Sequence, residues 1–234
     1  RANRLAEEAL SHFENGFDHM KVKLGFGIDD DLKCMETIRN ALKNKNVTLM
    51  IDTNHAYGRS EALILGKNLE DFRLRWYEEP VVPEDIKGYA ELRSKLDIPI
   101  AGGENEHTLY GFRSLFENNA IDIAQPDIGS CGGITGAKHI INLAQSFGVE
   151  VNPHVWGSAI AQAASIQVIA SIPVTHFSVF AREPILEYDQ SSHPFRRELL
   201  STPFELENGM LNIPNGKGLG IEVNLETIKK YKTN

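Results

Sequence analysis

Short apolar runs alternate with amphipathic helical stretches along most of the 234-residue chain, and this alternation constrains its fold more than any other feature. The runs are bounded by Gly, Pro, Asn or Asp, as β-strands commonly are. Seven runs have the pattern of strands: His19–Leu24, Thr48–Asp52, Leu74–Glu78, Ile98–Gly102, Ile121–Gln125, Glu150–Pro153 and His176–Phe180. Helical patterns precede and separate them, at about residues 4–15, 30–44, 59–70, 84–96, 108–118, 133–147 and 157–171. Strands that alternate with helices predict an α/β fold with a parallel sheet.

Ionisable residues lie at the carboxyl ends of the predicted strands, although a strand buried between helices should be apolar. They are Lys21, Lys23, Asp52, Glu78, Glu104, Asp127 and His154, and from Lys23 onward they recur every 23 to 29 residues. An open sheet would place such groups along a line. A closed barrel brings them to one mouth, where barrels of this type carry their chemistry. The charges therefore predict a (β/α)8-type TIM barrel rather than an open doubly wound sheet.

The alternation also predicts the domain organisation. Residues 1–189 form the predicted barrel domain and supply strands two to eight. Because the chain starts with a helical pattern, we expect the first strand to lie before Arg1, in a (β/α)7β variant of the barrel. Residues 190–234 contain Pro194, Pro203, Pro214 and several glycines, and they break the alternation. We expect this C-terminal segment to pack on the barrel and on a domain absent from this chain.

Three carboxylates, Asp52, Glu78 and Glu104, end three consecutive predicted strands. Like charges at one mouth repel each other unless a cation lies among them. Oxygen ligands suit a hard cation, and Mg²⁺ leaves positions open for water or substrate. The alternative is three separately solvated acids, but their common spacing favours a magnesium site.

Two further groups have the pattern of acids and bases. Lys21 and Lys23 lie two residues apart on one strand, so their side chains share a face, and two neighbouring ammonium groups disfavour each other's charge. A lysine of lowered basicity can act as a general base, whereas the alternative is a solvated edge strand. Asp127 and His154 end successive strands, and a carboxylate bonded to one imidazole nitrogen fixes the tautomer of the ring. The alternative for this pair is a helix-capping Asp and a core His.

Charge and hydropathy exclude other classes of function. The net charge of −8 and the lack of a basic stripe argue against a nucleic-acid-binding protein. No apolar run is long enough to span a membrane, and the first residues do not form a signal peptide. The two cysteines, Cys34 and Cys131, fit no metal-binding spacing. These features predict a reduced, cytoplasmic protein.

The motifs at the strand ends resemble those of the mandelate racemase subgroup of the enolase superfamily. They are Lys21-Val-Lys23, Asp52-Thr-Asn54, Trp76-Tyr-Glu78-Glu79-Pro80, Gly103-Glu104-Asn105, Gln125-Pro126-Asp127 and Asn152-Pro-His154, with Leu186-Glu187-Tyr188-Asp189 as a further acidic segment. The resemblance covers about residues 5–230. The muconate-lactonising subgroup carries a lysine in place of the Asp127–His154 pair, so the resemblance excludes that subgroup. The family fold adds an N-terminal α+β capping domain, which is missing from this chain.

The resemblance also implies roles for individual residues. Asp52, Glu78 and Glu104 would bind one Mg²⁺ per subunit. Lys23 would be one acid/base with Lys21 as its modulator, and His154, paired with Asp127, would be the opposite one. Glu187 would bind a substrate carboxylate oxygen and Asn54 would be a polar neighbour in the pocket. Family members are often oligomeric, so we expect a homo-oligomer.

The implied reaction removes the proton α to the carboxylate of a small-molecule acid, through an enediolate. If the second acid protonates a β-hydroxyl as it leaves, a sugar acid is dehydrated to a 2-keto-3-deoxy acid, and this is the reaction that we favour. If it returns a proton to the same carbon, the enzyme is a racemase or epimerase, and a remote third hypothesis is a catalytically silent barrel. His55, Tyr57, His107 and Trp156 follow strand ends and are candidate substrate contacts, with loop packing as the alternative. Glu79 should face away from Glu78 by strand alternation, which predicts a structural role.

Overall fold

A computed structural model describes residues 1–173, 183–207 and 209–233. The helices are α1 (Ala2–Glu14), α2 (Ile28–Ala41), α3 (Arg59–Leu69), α4 (Ile86–Lys95), α5 (Leu109–Glu117), α6 (Gly133–Ser146), α7 (Ala159–Ala170), α8 (Pro194–Arg197) and α9 (Leu225–Tyr231). The strands are β1 (His19–Lys23), β2 (Thr48–Asp52), β3 (Tyr77–Glu78), β4 (Ile100–Gly102), β5 (Ile123–Ala124), β6 (Glu150–Val151), β7 (Leu206–Glu207) and β8 (Met210–Leu211). The strand predicted at His176–Phe180 lies outside the described residues. The predicted alternation of strands and helices is otherwise confirmed up to α7.

Six strands form one sheet in the sequential order β1-β2-β3-β4-β5-β6, while β7 and β8 form an antiparallel hairpin. The first three pairings in the sheet are parallel. Sequential parallel strands joined by helices are the pattern expected of repeated β-α units. In the described residues no helix has the length and apolar character needed to cross a membrane.

The chain divides into two compact units, the first made of residues 1–102 and 113–123. Strand β2 is central to this unit, since its last four residues are buried. Leu49 and Ile51 on β2 are inaccessible to solvent, as are Met35 and Ile38 on α2. Burial of each such side chain contributes about 1.5–3 kcal/mol. This burial anchors β2, the strand that carries Asp52.

The second unit consists of residues 103–112 and 124–234. Helix α7 is buried along much of its length, and the Gln167 side chain on it donates to the carbonyl oxygens of Pro214 (2.9 Å) and Leu219 (3.3 Å). Leu200 forms an isolated antiparallel bridge with Val223. These bonds connect Pro214 and Leu219 to α7, and Leu200 to Val223. The boundary predicted at residue 189 stays a prediction.

Candidate active site

In the first unit, parallel register places three ionisable residues side by side at the carboxyl ends of adjacent strands. Lys23 on β1 is the register partner of Asp52 on β2, and Asp52 is the partner of Glu78 on β3. Register partners in a parallel sheet point to the same face. Lys21 lies two residues before Lys23 and faces the same side. The sequence prediction that these four side chains converge is therefore supported by the strand pairing.

The two lysines contact the two carboxylates. Lys21 Nζ lies 2.6 Å from Glu78 Oε1 and 3.6 Å from Asp52 Oδ2. Lys23 Nζ donates to Asp52 Oδ2 and, at 3.0 Å, to Asn54 Oδ1. Asp52 and Glu78 are buried, and the Lys21 side chain is 16% exposed against 55% for Lys23. Lys21 is thus the more buried and Lys23 the more exposed counter-ion of these carboxylates, and the contacts of both lysines with a substrate stay predictions.

Further hydrogen bonds fix the orientation of both carboxylates. Trp76 Nε1 donates to Glu78 Oε2 at 2.9 Å, and the Asn54 backbone N–H donates to Asp52 Oδ1 at 2.8 Å. Burial alone would raise the pKa of Asp52, but the charges of Lys21 and Lys23 and the bonds from Lys23 and Asn54 hold it below its usual value. The Trp76 contact was not predicted, although Trp76 and Glu78 share a face by strand alternation.

The chemistry of this pair of carboxylates fits a magnesium ion. An oxygen of Asp52 and an oxygen of Glu78 lie within 4.8 Å of one another. Both are buried and oriented by hydrogen bonds, as the carboxylate ligands of a metal commonly are. A hard divalent cation bound by carboxylate oxygen is consistent with this donor set.

The loops after β2 and β3 have an unusual backbone. Asn54, His55 and Glu79 have φ values of 41°, 50° and 44°, in the left-handed region that residues other than glycine seldom occupy. The His55 N–H donates to the Glu79 carbonyl oxygen at 2.8 Å, and His55 Nδ1 lies 3.2 Å from Glu79 Oε2. Glu79 is buried, as expected of a structural residue, and its carboxylate contacts one of the predicted pocket residues.

Tyr57, another predicted substrate contact, lies in a buried network around Asp31. Its hydroxyl donates to Asp31 Oδ2 at 2.5 Å and accepts from the Gly27 N–H at 2.9 Å. The same Asp31 oxygen accepts from the Gly25 N–H at 2.7 Å. Burial and the bond to Asp31 raise the pKa of Tyr57. The hydroxyl therefore supports the loop that follows Lys23, and a contact with substrate stays a prediction.

The sequence pattern does not predict the buried hydrogen bonds of Asp31. It is the last of three acidic residues in the first turn of α2, and such residues are common there because they favour the helix dipole. Its burial and its bonds to the preceding loop depend on tertiary structure.

In the second unit, His154 lies between two carboxylates. Its Nδ1 is 2.8 Å from Asp127 Oδ2, and its Nε2 is 3.4 Å from Glu104 Oε2. The other oxygen of Asp127 accepts from the Gly129 N–H at 2.7 Å. When the Asp127 carboxylate accepts this hydrogen bond, the hydrogen lies on Nδ1 of His154, and the acid/base role of the ring stays a prediction. The predicted Asp127–His154 pair is present in the structure.

The segment that contains Glu187 packs on the loop that contains His154. Glu187 Oε2 accepts from the Val155 N–H at 2.9 Å, and Asn152 Oδ1 accepts from the Ile185 N–H at 2.7 Å. These bonds flank His154 on both sides along the chain. Glu187 thus helps to hold the loop of His154, and its contact with a substrate stays a prediction.

Arg196 extends this arrangement and was not predicted. Its guanidinium lies 2.7 Å from Asp189 Oδ2 and donates to the Gly157 carbonyl oxygen at 3.2 Å. Trp156 is exposed, as is His107, so both are accessible, and their contacts with substrate stay predictions.

Enzymes of one family are similar to this chain over almost its whole length. The family profile described as "Enolase C-terminal domain-like" matches residues 4–228. D-galactarolactone cycloisomerase from Agrobacterium fabrum is 40% identical over 232 residues, which cover 99% of this chain and 61% of that protein. L-talarate/galactarate dehydratase from Salmonella typhimurium is 33% identical over 208 residues, which cover 88% of this chain and 48% of that protein.

A solved structure gives the same picture. The crystal structure of 3,6-anhydro-D-galactonate cycloisomerase from Zobellia galactanivorans has a TM-score of 0.90 and 41% identity, and the match covers 98% of this chain and 63% of that one. The chain therefore spans about three fifths or less of the length of these relatives.

Proposed function

This chain belongs to the enolase C-terminal domain-like family, and on that premise we propose that it removes the proton α to the carboxylate of a sugar acid and then eliminates the oxygen substituent on the β carbon. Membership confirms the resemblance to the enolase superfamily and the α/β barrel fold class predicted from the sequence. The product of elimination is a 2-keto-3-deoxy acid. We favour a free β-hydroxyl as the leaving group, which makes the reaction a dehydration.

The observation that supports the proposal is that both candidate acid/base side chains are held in place by hydrogen bonds. Lys23 Nζ is fixed by Asp52 and Asn54, and the His154 ring is fixed by Asp127. β-Elimination needs one group to take the α-proton and another to protonate the oxygen that leaves. A binding protein needs neither, so the pair also argues against a catalytically silent barrel.

We propose that Asp52, Glu78 and Glu104 hold one Mg²⁺, since all three are carboxylates and the buried pair in the first unit fits such an ion. When bound, the ion stabilises the negative charge that develops on the substrate carboxylate as the α-proton leaves. Lys21 is the proposed donor to that carboxylate, and Glu187 is the proposed hydrogen-bond partner of one of its oxygens. Lys23 and His154 exchange protons with the α carbon and with the leaving oxygen.

Elimination of a ring oxygen is the second candidate. Two proteins about 40% identical to this chain are named as cycloisomerases, one for a lactone and one for an anhydro sugar acid. If the β-oxygen belongs to a ring, the same proton abstraction opens the ring and the product is an isomer of the substrate. The same residues serve both reactions, because only the leaving group differs.

A substrate screen tests the proposal. The full-length protein with Mg²⁺ is incubated with galactonate, galactarate, arabinonate, their lactones and 3,6-anhydrogalactonate, and 2-keto acids are detected as semicarbazones. A product that has lost one water by mass indicates dehydration, and an isomeric 2-keto acid indicates ring opening. Exchange of the α-proton in D₂O without any keto product would favour a racemase or epimerase. A protein that neither exchanges the α-proton nor forms a keto acid from any of these compounds would contradict the proposal.

Assembly as a homo-oligomer and a cytoplasmic location stay predictions.

A further inference from the structure

The Glu79 residue holds His55 through both its backbone and its side chain. The Glu79 carbonyl oxygen accepts from the His55 N–H at 2.8 Å and from the Thr53 hydroxyl at 2.9 Å. The Glu79 carboxylate lies 3.2 Å from His55 Nδ1. Two loops that follow adjacent strands are thereby joined at one residue pair.

The backbone at this pair is strained. His55 and Glu79 both have left-handed φ angles, as does Asn54 beside them, and an ordinary side chain adopts this conformation only when its surroundings impose it. Strained residues of this kind concentrate at sites of function, where they aim a side chain. A loop that only needed to turn could do so with glycine at no such cost.

The Glu79 contact determines which nitrogen of His55 is available. His55 Nδ1 faces the Glu79 carboxylate at 3.2 Å, so the hydrogen lies on Nδ1 when the ring donates to the carboxylate. In the neutral ring, Nε2 is then left as a hydrogen-bond acceptor. The His55 side chain is 44% exposed while that of Glu79 is only 1% exposed, so the ring is accessible and its partner is not.

The position of His55 relates this acceptor to the candidate site. It comes three residues after Asp52, and the intervening Asn54 contacts Lys23 Nζ at 3.0 Å. A ring with a fixed acceptor at the carboxyl end of β2 suits a ligand that is rich in hydroxyl donors.

We propose that His55 is a specificity-determining residue that accepts a hydrogen bond from a hydroxyl group of a polyhydroxylated acid, and that Glu79 is its positioning residue. The inference rests on the proposed function for the class of substrate. It adds that Nε2 of His55 is the atom that accepts the hydrogen bond from the hydroxyl group, and that Glu79 sets the tautomer of the His55 ring.

Replacements that distinguish the contribution of Nδ1 from that of Nε2 test this inference. His55→Asn keeps a polar atom near the position of Nδ1, tolerates a left-handed backbone and lacks an atom at the position of Nε2. His55→Gln places a polar atom near the position of Nε2. In Glu79→Gln the amide can donate to Nδ1 of His55, so the hydrogen of the ring is no longer favoured on Nδ1. His139→Gln, at an exposed histidine on α6, is the matched control.

We expect His55→Asn and Glu79→Gln to raise KM about tenfold with kcat close to that of the wild type, because a single hydrogen bond made equally in ground and transition states is lost. His55→Gln should restore part of the binding, and the double variant His55→Asn/Glu79→Gln should be no worse than His55→Asn. An unchanged KM in His55→Asn, or a loss confined to kcat, would overturn the inference. Equal activation constants for Mg²⁺ across the set exclude an effect through the neighbouring Glu78.

A second readout does not depend on turnover. Imidazole ¹⁵N spectra of the wild type should show His55 with hydrogen on Nδ1, and Glu79→Gln should shift that equilibrium. A wild type with hydrogen on Nε2 overturns the role of Glu79 whatever the activity. In one outcome, calorimetry shows that the wild type binds galactarate or galactonate although it does not convert them. The proposed elimination has then failed, and the Kd of each variant for that acid tests the role of His55 in place of KM. If it binds none of the panel, both the proposed function and the recognition role of His55 are overturned.

Discussion

The Lys21 ammonium lies 2.6 Å from Oε1 of Glu78, with strand β2 between the strands that carry the two residues. The contact compensates a carboxylate that is 1% exposed, and the same ammonium is 3.6 Å from the buried Asp52. Removal of one partner of such a buried pair leaves the other charge uncompensated.

We therefore predict that Lys21→Met lowers the free energy of unfolding by about 3–5 kcal/mol when Mg²⁺ is absent. Mg²⁺ should recover part of this loss, because an ion that binds only the folded state stabilises it. Thermal unfolding of wild type and variant, with EDTA and with a Mg²⁺ series, measures both effects. A Mg²⁺-induced rise in Tm that is no larger in Lys21→Met than in the wild type would contradict the prediction.

Metal binding gives the second prediction. Glu78→Gln keeps the size of the side chain and removes one charge from the proposed ligands, so we expect weaker Mg²⁺ binding and loss of most activity. Titration of Mg²⁺ followed by calorimetry checks the affinity directly. Glu91→Gln, on the surface of α4, is the control, and equal Mg²⁺ affinity of the two variants would argue against Glu78 as a ligand.

The third prediction concerns the two acid/base groups. Lys23→Met and His154→Gln should each lower kcat by about 10²–10⁴-fold, the usual contribution of a positioned general acid or base. One group takes the α-proton and the other protonates the leaving oxygen. The variant that lacks the second group should therefore still exchange the α-proton in D₂O while it forms little product. NMR detection of deuterium in recovered substrate distinguishes them. Wild-type kcat in either variant would remove that residue from the mechanism.

Asp127 provides the fourth prediction. Asp127→Asn lets an amide donate to Nδ1 of His154, which favours the wrong tautomer, and we expect kcat to fall about 10–100-fold. The control is Asp97→Asn, at an exposed aspartate. The kcat of both variants and their circular dichroism spectra are compared, and equal kcat values would show that Asp127 does not tune His154.

The strand-end residues could be predicted because their signal is periodic. Strand β2 was predicted with its observed bounds, Thr48–Asp52, since four of its five residues are buried. The neighbouring strand was predicted from Leu74 and is observed only at Tyr77–Glu78, although the Arg75 N–H still donates to the Leu49 carbonyl oxygen at 2.9 Å. Hydrogen bonding between the strands thus continues beyond the two residues of β3. A sequence pattern cannot predict where the regular strand begins within such a paired segment.

The contacts of Glu79 could not be predicted for a different reason. Strand alternation holds only for extended residues, and Glu79 follows the strand with a left-handed φ of 44°. The bonds between Tyr57 and Asp31, and between Arg196 and Gly157, join residues that are far apart in the sequence and share no period. Only the tertiary structure brings such pairs together.

The reactivity of Cys131 is a fifth, independent test of the environment near Asp127. Burial, and then the negative charge of Asp127, raise the pKa of the Cys131 thiol to about 11. Below that pH the thiol stays protonated, and the thiolate is the form that reacts. Native protein at about pH 8 should therefore resist iodoacetamide at Cys131, whereas protein in urea should react readily. Mass spectrometry of the peptide that contains Cys131 gives the extent of reaction, and rapid native modification would contradict the burial.

Tyr57→Phe distinguishes support of a loop from contact with substrate. The Tyr57 hydroxyl donates to Asp31, a buried residue that also accepts from the Gly25 N–H, and it accepts from the Gly27 N–H. Its removal costs a hydrogen bond to a charged group, so we expect the free energy of unfolding to fall by about 1.5–3 kcal/mol. Urea unfolding measures this change, and steady-state kinetics should show KM close to that of the wild type. A rise in KM at unchanged stability would instead make Tyr57 a substrate contact, because the loop would then not depend on its hydroxyl.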